Sequence, residues 1–60
     1  MTRLQRTARR QGARAAMDHL LGALPAPLNP YPSHQTRHRY YNLGLRQATA
    51  LADQLLELTR

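Results

Sequence analysis

Four prolines within eight residues, Pro25, Pro27, Pro30 and Pro32, divide this 60-residue chain into two proline-free stretches. Each proline removes a backbone donor and pushes the residue before it toward extended geometry, so neither a helix nor a central strand can run through. Residues 25–33 therefore read as a hinge. The flanking stretches are rich in Ala, Leu, Arg and Gln, all good helix formers, and their apolar residues recur at steps of three and four. Helix 1 is expected over about 2–24, with Leu4, Ala8, Gly12, Ala15, Ala16, Leu20, Ala23 and Leu24 on one face. Helix 2 is expected over about 34–58, with Ser33 as its N-cap. Its inward stripe is Tyr41, Leu45, Ala48, Ala52 and Leu55, widened by Leu51, Leu56 and Leu58.

At a rise of about 1.5 Å per residue the two helices would be about 34 and 38 Å long. The expected fold is accordingly all-α and a single domain: a two-helix antiparallel hairpin with a Pro-rich hinge, Leu4 near Leu58 and Gly12 opposite Gly44 to Ala48. Glycine inside a helix costs about 1 kcal/mol relative to alanine, and close approach of two backbones is the packing reason to retain it. Such a core is thin. Hairpins of this size usually gain further burial from a partner or a second copy, and Leu51, Leu55 and Leu58 form the expected protein-interaction seam.

The formal net charge is +6, from nine arginines against three acids, with no lysine. Its placement is uneven. Residues 1–17 carry Arg3, Arg6, Arg9, Arg10 and Arg14 and no acid, and residues 33–46 add Arg37, Arg39 and Arg46. Arg3, Arg6, Arg10 and Arg14 are spaced 3, 4 and 4, which stacks them into one ridge of like charges that repel one another. Such a ridge is either a plain solvated face or a seat for phosphates, where neutralisation and counterion release turn repulsion into binding. In the second basic segment Arg37, His38 and Arg39 adjoin Tyr40 and Tyr41. Cations beside aromatic rings suit phosphates and unpaired bases, with Tyr40 and Tyr31 the candidates for stacking and Tyr41 assigned to the core.

No cysteine is present, which removes disulfides, thiolate nucleophiles and the usual zinc sites. His34 and His38 stand four apart, but two imidazoles are short of a metal site. No phosphate-binding glycine loop or nucleophile motif occurs, and Asp18, Asp53 and Glu57 are too scattered for paired-carboxylate chemistry. The expectation is a protein that is not an enzyme, with no cofactor, no metal and no membrane span.

Asn29-Pro30-Tyr31-Pro32, followed by Tyr41-x-x-Gly44-Leu45-Arg46-Gln47-Ala48 and preceded by Gly12-Ala13-Arg14-Ala15-Ala16, resembles the bacterial ribosome modulation factor family. That family includes small phage-borne and plasmid-borne chains. Tyr41 and Leu45 stand where the family has tryptophans, and Asn29 where it commonly has cysteine. The resemblance implies a cytoplasmic helical hairpin that docks on the small ribosomal subunit, masks ribosomal RNA that pairs with the messenger leader, and promotes inactive ribosome dimers. It also implies that Pro30 and Tyr31 shape the hinge, that Tyr41, Gly44 and Ala48 fix helix packing, and that Arg46 contacts RNA or caps the neighbouring loop.

Two functions follow as expectations. The first is a non-catalytic, ribosome-associated RNA-binding regulator that uses Arg3, Arg6, Arg10, Arg14, Arg37, Arg39, Tyr40 and Arg46. The alternative is a small phage- or plasmid-type module that binds a host protein through Leu51, Leu55 and Leu58 on helix 2.

Overall fold

A computed structural model describes residues 1–22 and 25–59 of the chain. The described residues form an all-α fold of two helices packed on each other, α1 (Arg3–Leu20) and α2 (Thr36–Thr59), joined by the proline-rich connector.

The start of α1 is fixed by a reciprocal cap. The Thr2 side chain accepts from the Gln5 backbone N–H at 3.2 Å, and the Gln5 side chain accepts from the Thr2 backbone N–H at 2.9 Å. Two of the four amides that a helix start leaves without partners are thereby satisfied. α1 ends earlier than its composition implies, because Gly22 adopts a left-handed φ of 78°. The Leu21 and Gly22 amides close the last turn on Met17 and His19, a stop that glycine makes without steric cost. Ala23 and Leu24, placed in helix 1 by periodicity, lie outside the described residues. At the other end, α2 begins at Thr36 and not at His34. Residues 33–35 instead form a turn in which the Gln35 amide donates to the Pro32 carbonyl and the His38 amide to the Gln35 carbonyl, so the Ser33 cap is not formed.

The seam between the helices consists of small residues: Ala8, Gly12 and Ala16 of α1 and Tyr41, Gly44 and Ala48 of α2 are the buried positions. A methyl group on Gly12 would overlap the Tyr41 carbonyl oxygen and lie 2.8 Å from its carbon and 3.1 Å from the Leu45 nitrogen. Gly44 meets Arg9 and Ala13 with the same distances. The two backbones are therefore in direct contact at one crossing, which is why both in-helix glycines are retained. Dispersion between close backbones substitutes there for bulky side chains.

The connector retraces α1. Pro25 to Leu28 lie beside Ala15, Tyr31 reaches Gln11, and His34 to Arg37 share a cleft with Thr2, Leu4 and Gln5. The first turns of the two helices thus sit at the same end of the molecule. The antiparallel, end-to-end match expected of rods of equal length does not form, because the connector returns along α1 before α2 begins: Leu4 lies beside the start of α2, away from Leu58 at its other end, and is itself 63% exposed. Leu20 and Leu55, assigned to inward faces by spacing, are exposed as well, because the seam is confined to the crossing.

Candidate nucleic-acid interface

Around α1, at about 100° per residue, Arg3, Arg10 and Arg14 fall about 160–180° from Gly12, and Arg6 about 120°. All four are exposed. The ridge read from sequence is therefore on the side of α1 that faces away from α2. Among the described residues none of these guanidinium groups has a hydrogen-bond or ion-pair partner, so no described residue compensates the repulsion between them. Arg9, one position off the ridge, is half-buried and carries its carbonyl into contact with Gly44.

The second basic segment divides into two environments. Arg39 and Arg46 are exposed, and together with Thr36, half-buried Tyr40 and Leu43 they line a shallow depression along one face of α2. Arg37 differs. Its guanidinium stacks over the Tyr31 ring at 5.0 Å from the centroid and donates to the Gln35 side chain at 3.1 Å. It is half-buried, and its cation is already engaged by an aromatic face. Tyr31 is no free stacking platform either. Its hydroxyl donates to the Gln11 side chain, and its ring stands edge-on to Tyr41 with centroids 6.2 Å apart. Both residues tie the connector to the helices: Tyr31 serves in the hinge, and its ring is not the exposed stacking platform that the sequence also offered.

Sequence reasoning assigned Asn29 to the hinge, and it missed how that hinge is held. The Asn29 side-chain amide donates to the His38 carbonyl at 2.8 Å and to the Asn42 side-chain oxygen at 3.0 Å. Its own side-chain oxygen accepts the Tyr31 amide at 3.0 Å. The Tyr31 carbonyl can only accept, so the His38 Nδ1 that lies 2.9 Å from it carries the proton. His38 Nε2 then accepts from the Asn42 amide at 3.3 Å. Asn29, Asn42, His38 and Tyr31 form a closed ring in which each group donates to the next. The legible signal was an Asn immediately before Pro-Tyr-Pro, an Asx-turn former, together with His38 and Asn42 four apart on one helix face. His38 is accordingly a structural residue that ties the connector to α2.

A second pattern emerges from the crossing. Gly12-Ala13-Arg14-Ala15-Ala16 and Gly44-Leu45-Arg46-Gln47-Ala48 share Gly-x-Arg-x-Ala, and the two glycines make equivalent contacts. The helices are related by a local two-fold, and Arg14 and Arg46 occupy equivalent outward positions. The cations therefore present two separate faces, one on each helix, and not one continuous patch.

No helix of the described residues is long and apolar enough to cross a membrane. No protein-family model matches the chain, and neither the curated proteins nor the solved structures provide a match.

Proposed function

We propose that this chain is a non-catalytic RNA-binding regulator that associates with the ribosome and covers ribosomal RNA of the small subunit. One observation carries the reading: Arg3, Arg6, Arg10 and Arg14 lie exposed on the face of α1 opposite the seam, without an acidic partner among the described residues. Four guanidinium groups on one ridge of about 16 Å match a run of phosphates, each neutralised with release of a counterion. Arg39 and Arg46 beside Tyr40 supply a second face on which a phosphate and an unpaired base can be held. The resemblance of the hinge and the Gly-Leu-Arg segment to the ribosome modulation factor family supports a ribosomal location for that RNA. Direct base reading through a groove is no part of the reading, so binding is led by the backbone.

Co-sedimentation of the tagged chain with ribosomes across a salt gradient tests this. The expected result is binding at low salt that falls steeply as salt rises, with the ribosome profile shifted toward a dimer peak. Absence from every ribosomal fraction at low salt overturns it.

A second reading is favoured by a separate observation. Leu51, Leu55 and Leu58 are exposed on α2, as a module that grips a host protein would require. In that case ribosome or target binding persists after Arg6→Ala with Arg10→Ala and is lost when Leu55 and Leu58 become polar.

A further inference from the structure

The two basic faces stand back to back. Arg3, Arg10 and Arg14 point about 160–180° away from the direction in which Gly12 meets α2, and Arg39 and Arg46 about 140–160° away from the direction in which Gly44 meets α1. Both helices start from the same end of the molecule and touch at these glycines, so positions on them can be matched by their distance from the glycine. Arg14 and Arg46 each lie two residues past it, and Arg39 falls between the levels of Arg6 and Arg10. The arginines thus face opposite ways at one height.

What lies between the arginines selects the occupant. Within about 60° of the outward direction, Thr7 alone accompanies the ridge between Arg3 and Arg14, and Asn42 alone stands between Arg39 and Arg46. Neither outward face has the large apolar side chain that the centre of a protein interface buries. The guanidinium groups of Arg3, Arg6, Arg10, Arg14, Arg39 and Arg46 are exposed and have no partner among the described residues. Charge of one sign with a polar filling fits a phosphate backbone. Asp53 and Glu57 point the same way farther along α2 and end the positive run on that face after Arg46.

One double-helical segment cannot reach both faces. Across the long axis of the molecule the Cα framework measures 23 × 16 Å, and a duplex is stiff over far greater lengths, about 50 nm for DNA. On one flank the path between the faces is taken up by the connector, which lies against Ala15 and Tyr41 and bonds to His38 and Asn42.

We infer that one chain bridges two segments of RNA, holding one phosphate backbone on the α1 ridge and a second on Arg39 and Arg46 of α2. The inference rests on the proposed RNA binding and adds to it the number of segments engaged. The ridge, with more arginines, binds first and the α2 face second and more weakly, because each neutralised phosphate releases a counterion. Once the first segment is held, a neighbouring one is captured at an effective concentration set by their spacing. The preferred target is accordingly a place where two helical segments of a folded RNA run side by side.

Short RNA duplexes of one sequence, half carrying a donor fluorophore and half an acceptor, give the test at low salt. Anisotropy reads the binding of a duplex, and energy transfer between duplexes reads bridging. The transfer is expected to rise as chain is added and to fall again in excess chain, when every duplex holds its own copies. Arg39→Ala with Arg46→Ala should abolish the transfer and retain the binding seen by anisotropy, whereas Arg6→Ala with Arg10→Ala should weaken both. Both pairs of side chains are exposed, so the helical circular-dichroism signal should be unchanged in either variant. Binding by anisotropy without energy transfer overturns the inference and leaves the RNA reading standing. Transfer that survives Arg39→Ala with Arg46→Ala also overturns it, since the bridge would then be two associated copies that each use the ridge. Absence of both signals overturns the inference together with the RNA reading.

Discussion

Gly12 and Gly44 are each pressed against the backbone of the opposite helix with matching distances, 2.8 Å to a carbonyl carbon and 3.1 Å to an amide nitrogen from where a Cβ would stand. The obstacle on both sides is main chain, which cannot rotate away as a side chain would. Gly12→Ala or Gly44→Ala should gain about 1 kcal/mol in helix propensity and lose more than that by forcing the helices apart, for a net loss of about 2 kcal/mol or more. Stability of a 60-residue chain is about 3–9 kcal/mol, so the expected outcome is a much lower thermal midpoint, or no cooperative transition, by circular dichroism. Gly22→Ala should cost less, since nothing lies within 4 Å of that position and only its φ of 78° resists.

The ring through Asn29, Asn42, His38 and Tyr31 gives a prediction about a single residue. Asn29→Ala removes two donors and one acceptor and leaves the Asn42 oxygen and the Tyr31 amide without their partners in a half-buried site. A loss of about 1–3 kcal/mol is expected. Nitrogen chemical shifts of His38 at neutral pH should report the Nδ1–H tautomer, and the Nε2–H tautomer would show that the ring runs otherwise.

Thr2→Ala should remove half of the capping box. The expected cost is about 1 kcal/mol, confined to the first turn of α1, so amide exchange should accelerate at residues 3–6 and stay slow at Ala16.

Arg6→Ala with Arg10→Ala changes two exposed side chains that have no partner among the described residues. Thermal stability should stay within about 0.5 kcal/mol. Affinity for ribosomal RNA should fall, and the slope of log K against log salt should decrease in magnitude by about 1.4 to 1.8. An unchanged slope would place the RNA contact elsewhere.

Much of this fold was legible because its determinants are local. The prolines at 25, 27, 30 and 32 confine the helices, and the spacing of Ala8, Gly12 and Ala16 marks the buried face of α1. The crossing at Gly12 and Gly44 was visible as two glycines that otherwise weaken their helices. What escaped was the path of the connector. Its course depends on hydrogen bonds from Asn29 and Tyr31 to residues of both helices, and such long-range partners leave no periodic signal. The same path explains why Arg37 and Tyr31, which carry the chemistry of a binding surface, are engaged within the chain: the returning connector stacks them on each other. The ridge of Arg3, Arg6, Arg10 and Arg14 was readable because a helix converts spacing directly into direction.

The meeting of Gly12 with Gly44 has a kinetic consequence. The contacts that define the native pair join segments separated by more than half the chain, whereas most helical proteins of this size are assembled from near neighbours. Closing so long a loop must precede any reward from the seam, so this small helical chain should fold more slowly than its helix content suggests, at a rate governed by how quickly the connector comes home.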